Sequence, residues 1–342
     1  MDTDTYISTV SNFIVGGYIT SAIIIGNELG LFDELRKLKN PVTSTELAKE
    51  CKLKERYVRE WLGCMVSTKI VSLDAQDRYF IPELLKPALK KALEFAFFSP
   101  VVGVLTDKVI ECYKEDGPQG FGYEGLPTKV IEAVENKTSD PDTAVDELIK
   151  HLPKTLEPNA VILDLGCGGG IITRALQRRL PKAVITATDY NQDAITKAEK
   201  QSKIAGVKYV KEDATKLPAD WKHKFDWVIL YDVLHDLPEP DKVMKEIRRV
   251  LKDDGFASIV DPDLHSSHAS NIGDVGIAGV GYAVSALICL PCSLSVEGAA
   301  GHGMGWGTEN KEEFLIKSGW KVVKKSKIQK SKFALNFTCV KV

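Results

Sequence analysis

A histidine next to an acid follows an apolar, strand-like run in the second half of the chain. The run covers residues 225–230, and Leu234-His235-Asp236 comes a few residues later. An imidazole titrates near pH 6.5, so it is a suitable base at neutral pH for a hydroxyl, even a phenol with a pKa near 10. His235 is therefore the leading candidate for a general base, and a purely structural histidine is the competing interpretation.

A glycine-rich turn follows an earlier strand-like run, residues 160–165. It reads Gly166-Cys167-Gly168-Gly169-Gly170, and residues without a Cβ turn this tightly and let a ligand lie against the backbone. A phosphate-binding P-loop would need a Gly-Lys-Ser/Thr sequence, which is absent. A dinucleotide fingerprint would need a third glycine where Ile171 stands. The turn therefore favours neither a P-loop nor a nicotinamide dinucleotide site.

Acids follow the next two strand-like runs, at the edge where open α/β sheets bind ligands. Asp189 stands twenty-three residues beyond Gly166, and Glu212-Asp213-Ala214 follows residues 207–210. A carboxylate after the second strand can accept hydrogen bonds from ribose hydroxyls. Each acid alone is also typical of a loop or a helix cap. The glycines and acids together predict one nucleoside site.

The pattern Asp-x-Gly-x-Gly-x-Gly, beginning at Asp164, resembles motif I of the class I S-adenosylmethionine-dependent methyltransferases. The resemblance covers about residues 159–342. It implies an α/β fold with a Rossmann-like seven-stranded sheet whose last hairpin includes one antiparallel strand. It also implies S-adenosylmethionine as the cofactor, with Asp189 on the ribose and Asp213 on the adenine amine. The predicted cofactor-binding residues are Asp164, Gly166, Gly168, Gly170, Asp189, Tyr190, Asp213, Ala214 and Tyr231.

The Leu-His-Asp segment resembles that of small-molecule O-methyltransferases of the caffeic-acid type and their bacterial winged-helix relatives. That resemblance implies that His235 is the base and that Asp261, after the next strand, steadies its ring. Those relatives have a second steadying acid near the position of residues 306–309. No acid of this chain aligns there, and Glu309 is only a neighbour. The catalytic residues predicted are His235 and Asp261.

The first ninety residues predict a small, mainly helical winged-helix domain. Residues 43–46 match a capping box, residues 54–68 have apolar side chains at helical spacing, and residues 70–81 resemble a hairpin. The family resemblance gives this domain a dimerisation or lid role. DNA binding is the alternative, but residues 54–60 mix basic and acidic side chains. The expected domains are 1–90, a helical connector 91–150 with a polar loop at 136–141, and a cofactor-binding domain 151–342.

Charge, cysteines and hydropathy restrict the class of protein. The 45 basic and 47 acidic residues nearly cancel, so neither nucleic acid nor an anionic membrane is an expected partner. Seven scattered cysteines suit reduced thiols, and the acidic first residues do not resemble a secretory signal. We therefore expect a cytoplasmic protein. Residues 5–27 and 275–296 are uncharged, but their polar residues, glycines and proline argue against membrane spans.

Residues 264–307 form a long insertion rich in glycine and apolar residues. We expect it to wall the acceptor pocket, because small-molecule sites are mostly apolar; packing of a helix hairpin is the alternative. Cys289 and Cys292 have redox spacing, but no second pair completes a zinc site, so we expect buried packing. The histidines of this segment are too widely spread to predict a metal, and none is predicted. They are His265, His268 and His302.

These observations predict a homodimeric enzyme that transfers a methyl group from S-adenosylmethionine to a small, partly apolar acceptor, at a hydroxyl. One alternative is transfer to nitrogen or sulfur. A second is a cofactor-binding winged-helix regulator without catalysis, and a third is a silent scaffold that has kept the Rossmann core.

Overall fold

The structure is a computed structural model that describes residues 1–93, 99–136, 138, 140–202, 206–329, 331 and 333–342. It forms two compact units, Met1–Gly103 and Val104–Val342. Residues 104–150 of the expected connector thus belong to the larger unit, because Val145 and Leu148 are fully buried in the core that includes Ile162. In the polar loop predicted at 136–141, Lys137 and Ser139 lie outside the described residues.

The smaller unit is a helical cluster with a short hairpin, as the sequence predicts. Thr43 and Glu46 form the predicted capping box, and the next helix buries Trp61, Leu62 and Met65 in the core. The hairpin contains only two residue pairs. The elements are α1 Thr3–Glu28, α2 Leu31–Lys37, α3 Ser44–Glu50, α4 Glu55–Ser67, β1 Ser72–Leu73, β2 Tyr79–Phe80 and α5 Lys86–Leu93.

Helix α1 leaves most of its apolar side chains exposed. Its one buried residue is Gly26, which lies against the Trp61 ring, and the Trp61 indole N–H donates a hydrogen bond to the Ala22 carbonyl at 2.8 Å. Within the described residues, α1 and Val275–Ser293 are the helices long and apolar enough to cross a membrane. Length and composition are weak evidence, since core helices of soluble proteins meet the same criterion. That neither helix spans a bilayer stays a prediction.

Seven strands form the sheet of the larger unit: β3 Val161–Leu165, β4 Val184–Asp189, β5 Val207–Lys211, β6 Phe225–Tyr231, β7 Leu251–Pro262, β8 Trp320–Lys327 and β9 Ala334–Lys341. Their order is β5-β4-β3-β6-β7-β9-β8. β9 runs antiparallel to both of its neighbours, β7 and β8, and the other described pairs of this sheet are parallel, which confirms the predicted sheet. The strand order reverses beside β3, so a crevice opens at the carboxyl ends of β3 and β6.

Helices pack on both faces of this sheet. Because side chains alternate along a strand, Leu163 and Val228 join one core, whereas Ile162 and Trp227 join the other. Beyond α5, the helices in the described part of the chain are α6 Ser99–Cys112, α7 Thr128–Asn136, α8 Pro141–Lys150, α9 Ile171–Arg179, α10 Gln192–Gln201, α11 Pro240–Val250, α12 Val275–Ser293 and α13 Thr308–Lys317.

Strand β7 begins earlier than the sequence predicts. The polar residues 253–255 indicate a turn that ends helix α11, but β7 starts at Leu251 and includes them. Phe225 pairs with Leu251, and Trp227 pairs with Phe256. A two-residue step on β6 therefore matches a five-residue step on β7. Asp253 and Asp254 are exposed and bulge out of the ladder, which is how they are accommodated in a strand, whereas Gly255 is buried.

We expect Gly26→Ala to destabilise the smaller unit. An added Cβ would lie 2.3 Å from the Trp61 ring, and overpacking of this kind costs about 1–3 kcal/mol. Gly63→Ala in helix α4 is the control, because its Cβ would meet nothing within 4 Å and alanine is favoured over glycine in a helix by about 0.5–1 kcal/mol. Urea unfolding of the full chain measures both. Equal effects would contradict the packing of α1 on Trp61.

Candidate active site

A cavity of about 800 Å³ opens at the carboxyl ends of the central strands of the larger unit. Its walls are the segments that follow β3, β4, β5 and β6, together with residues 122–124 and parts of α7 and of the insertion. The parallel register of these strands brings their ends to one edge. A cavity of this volume is in the range of small-molecule sites.

The glycine-rich turn after β3 forms one wall of the cavity. Gly166, Gly168 and Gly170 have φ angles of 77°, 50° and 74°, a left-handed backbone that favours glycine. A Cβ at Gly166 would lie 2.7 Å from the Val233 side chain, whereas a Cβ at Gly168 would meet nothing within 4 Å. Gly168 lines the cavity and Gly170 does not. The backbone of the turn is therefore accessible to a ligand.

Asp189 lines the same wall and is held by backbone amides. Its Oδ2 accepts a hydrogen bond from the Gly168 N–H at 2.9 Å, and its Oδ1 accepts one from the Asn191 N–H at 2.9 Å. The carboxylate at the end of β4 is thus fixed to the turn after β3. This contact joins the two sequence motifs into one site.

Asp164 lies beneath the turn rather than in the cavity wall. Its side chain is buried and accepts a hydrogen bond from the Thr173 hydroxyl at 2.5 Å. Burial raises the pKa of Asp164 to about 6, against the opposing effect of that hydrogen bond, and the negative charge of Asp189 adds to the increase. Asp164 therefore ties the turn to helix α9 and does not line the cavity.

Four more of the predicted cofactor residues line the cavity. Tyr190 follows β4, Asp213 and Ala214 follow β5, and Tyr231 ends β6. Asp213 accepts hydrogen bonds from the backbone N–H and the hydroxyl of Thr215. Burial raises the pKa of Tyr231 to about 12, so its hydroxyl remains a donor at neutral pH.

The predicted base, His235, is buried between two carboxylates. Its Nδ1 lies 2.8 Å from Oδ1 of Asp261, as the sequence predicts, and its Nε2 lies 3.1 Å from Oδ1 of Asp236. The side chain is 1% exposed. It does not line the cavity, whereas the neighbouring Asp236 does.

Asp261 is in turn paired with Lys311 of helix α13. Lys311 Nζ lies 3.0 Å from Oδ2 of Asp261, and both side chains are fully buried. Burial would raise the pKa of Asp261, but the charges of Lys311 and His235 outweigh it and lower that pKa to about 2. Glu309 does not support His235; it pairs with His265 at the surface.

Lys311 and Tyr123 are site residues that sequence reasoning missed. The available signal for Lys311 was its place one helical turn before the apolar Leu315, on the buried face of α13. Tyr123 lies in the segment interpreted as a connector, and its hydroxyl donates a hydrogen bond to Oδ2 of Asp236 at 2.5 Å. Burial and the charge of Asp236 hold the pKa of Tyr123 well above its usual value. The Tyr123 N–H donates to the Tyr190 hydroxyl at 3.2 Å.

Acidic side chains dominate the charged groups of the cavity wall. Lys211 is the basic one among the described residues that line it. The charge of the wall therefore favours a ligand with net positive charge. The acidic residues are Glu124, Asp189, Glu212, Asp213, Asp232, Asp236 and Glu239.

The insertion contributes part of the wall, as predicted, through Cys292, Ser295 and Val296. It forms one helix, α12, with π-helical turns at Val275–Gly279 and Ser285–Cys289, rather than a helix hairpin. Its histidines do not line the cavity. Cys289 and Cys292 are buried, and ligand atoms of Cys289, His235 and Asp236 lie within 4.8 Å of one another.

Two family models match the chain. A methyltransferase domain matches residues 163–259, and an Rv2258c-like winged helix-turn-helix domain matches residues 17–89. Curated relatives include fatty-acid O-methyltransferase of Mycolicibacterium smegmatis, 34% identical over 40% of this chain and 49% of the relative. Demethylmenaquinone methyltransferase of Lactobacillus johnsonii is 39% identical over 29% of this chain and 42% of the relative. The chain thus spans half or less of these relatives' length.

Solved structures match over nearly the whole chain at low identity. Mitomycin 7-O-methyltransferase MmcR has a TM-score of 0.71 at 16% identity and covers 99% of this chain and 98% of its own. Human N-acetylserotonin methyltransferase in complex with SAM has a TM-score of 0.67 at 17% identity, and the match covers 100% of this chain and 98% of the other. A pericyclic reaction enzyme has a TM-score of 0.64 at 15% identity, and the match covers 98% of this chain and 89% of the other. The solved structures therefore show the fold, and the two family models place a methyltransferase domain at residues 163–259 and a winged helix-turn-helix domain at residues 17–89.

Proposed function

We propose that this chain transfers a methyl group from S-adenosylmethionine to a hydroxyl of a small, partly apolar acceptor. The observation that carries the proposal is the junction of the glycine turn with Asp189 at the edge of the cavity. An accessible backbone and a fixed carboxylate stand side by side there. The match of residues 163–259 to a methyltransferase domain and the likeness to mitomycin 7-O-methyltransferase MmcR, which is named for transfer to oxygen, are consistent with it.

The residues present fit S-adenosylmethionine. Asp189 would accept hydrogen bonds from the ribose hydroxyls, Asp213 would accept from the adenine amine, and the turn at Gly166–Gly170 would lie along the methionine part. The acidic wall suits a ligand with net positive charge, as a sulfonium amino acid has. When bound, the cofactor supplies an electrophilic methyl group on sulfur.

The cavity is partly apolar, and the candidate base His235 lies behind its wall. Ile131, Val134 and Val296 line it together with Asp236, so an acceptor with an apolar body and one polar group fits. We propose that the acceptor's proton ends on His235, which Asp261 backs. The walls position the acceptor oxygen, and positioning supplies much of the rate in such transfers.

Asp189→Asn should weaken binding of S-adenosylmethionine by about tenfold or more. A neutral amide is a poorer acceptor for two hydroxyls than a carboxylate, since hydrogen bonds to charged groups are the stronger ones. Isothermal calorimetry with the full chain measures the Kd. Asp193→Asn is the matched control, because Asp193 lies in the first turn of α10 and does not line the cavity. Equal affinities of the two variants would contradict the assignment of Asp189.

A metabolite screen with methyl-labelled S-adenosylmethionine should identify a labelled product with the methyl on oxygen. With that acceptor, His235→Ala should lower kcat by about 10²–10⁴-fold, the usual contribution of a general base. His268→Ala, in the insertion but away from the cavity, should leave kcat unchanged. Label on nitrogen or sulfur would indicate the alternative acceptor class. An unchanged rate for His235→Ala would exclude it as an essential base.

We further propose that the chain forms a homodimer through α1, whose Phe13 and Tyr18 side chains are 61% and 78% exposed. Light scattering should then give twice the chain mass of 37.7 kDa. Tyr18→Glu should yield monomers, because a buried unpaired charge is costly in an interface. Tyr57→Glu, at a similarly exposed tyrosine of α4, is the control. A monomeric wild-type chain would contradict this proposal.

A further inference from the structure

The ring of His235 does not reach the cavity. Its side chain is 1% exposed, and both ring nitrogens face carboxylates, Nδ1 towards Asp261 and Nε2 towards Asp236. A general base must come within hydrogen-bond reach of the proton that it removes. Another group therefore has to stand between the ring and the acceptor.

Asp236 stands in that position. Its side chain is 10% exposed and lines the cavity. Its Oδ1 lies 3.1 Å from Nε2 of His235 and has no hydrogen-bond partner among the described residues. Its Oδ2 accepts a hydrogen bond from the Tyr123 hydroxyl. A phenol of the protein itself thus occupies the cavity side of this carboxylate.

We propose that Asp236 binds the acceptor hydroxyl and takes its proton, and that the acceptor hydroxyl replaces the Tyr123 hydroxyl at Oδ2. His235 is then a positioning residue that acts through Asp236. This inference rests on the proposed function and narrows its acceptor to neutral hydroxyl compounds, phenols above all. Carboxylic acids are excluded as preferred acceptors.

The transfer step balances with these residues. The acceptor O–H bond breaks, and its proton passes to the Asp236 carboxylate. The acceptor oxygen forms a bond to the methyl carbon of the sulfonium, and the electron pair of the broken S–C bond stays on sulfur. Rotation of the carboxyl group about its Cβ–Cγ bond then brings the protonated oxygen to the place of Oδ1, 3.1 Å from Nε2, where His235 takes over the proton and Asp261 stabilises the resulting imidazolium.

Charge in the cavity supports the same acceptor class. An ionised carboxylic acid at Oδ2 would place two negative groups in contact, which is strongly unfavourable in a buried site. Glu124 and Glu239 add negative charge to the wall nearby, and Lys211 is the basic residue among the described ones that line it. A neutral hydroxyl avoids this repulsion and donates a hydrogen bond to the carboxylate.

Matched probes test the inference by binding. Calorimetry with the full chain saturated with S-adenosylhomocysteine compares 4-butylphenol with 4-butylbenzoate, which share ring and tail. We expect the phenol to bind about tenfold or more tightly, the equivalent of one charge-assisted hydrogen bond. Asp236→Asn should abolish this preference, and Tyr123→Phe should tighten phenol binding. Asp241→Asn, in the first turn of α11 and outside the cavity wall, should retain the preference.

Rates test the proton transfer. Asp236→Asn should lower kcat for a phenol by about a hundredfold or more. His235→Asn added to Asp236→Asn should cause no further loss, because the ring acts through the carboxylate. If His235 were purely structural, the second substitution would lower kcat further. Asp236→Asn is tested for folding by its binding of S-adenosylhomocysteine. If it does not fold, the inference is tested by whether the wild-type chain and Tyr123→Phe bind the phenol more tightly than the benzoate.

Four outcomes would overturn the inference. These are equal or tighter binding of the benzoate, no binding of the phenol, an unchanged phenol rate in Asp236→Asn, or transfer that requires added Zn²⁺, which would assign Cys289, His235 and Asp236 to a metal. Failure of the wild-type chain to bind S-adenosylhomocysteine would instead contradict the proposed function itself.

Discussion

The buried ion pair between Lys311 and Asp261 is the interaction on which the candidate catalytic groups depend. Two fully buried charges are tolerated only when they are paired and hydrogen-bonded. Lys311 meets this requirement with the Asp261 carboxylate and the Pro262 carbonyl. Asp261 therefore stays ionised and holds Nδ1 of His235, which turns Nε2 towards Asp236. Loss of the lysine charge would leave Asp261 without its cationic partner, and His235 would no longer be held against Asp261.

The sheet explains why these groups meet. Tyr231 at the end of β6 pairs with Val260 in β7, so the segment with His235 and Asp236 lies beside Asp261 at one edge. The turn after β3 and the acid after β4 reach the same edge because those strands are parallel neighbours. One edge of the sheet thus carries both the residues proposed to hold the cofactor and those proposed for proton transfer.

The charge of the cavity connects the two halves of the site. Its acidic wall suits a cationic cofactor and, on our inference, rejects an anionic acceptor. Both consequences have one physical origin, since like charges in a poorly solvated cavity repel and opposite charges attract. The fold alone does not specify the reaction, because a methyltransferase and a pericyclic enzyme are both among its structural neighbours.

Local sequence patterns predicted the parts of this protein that local physics controls. Strand-like runs and their parallel order, the capping box at Thr43 and the glycine turn follow from short-range periodicity and backbone sterics. The proximity of His235 to Asp261 was also predicted, through the family resemblance. What only the tertiary structure decided is which side chain faces the cavity. Tyr123 and Lys311 come from segments distant in sequence and bind the two carboxylates that flank His235, because orientation in a packed core is set by contacts that no local pattern records.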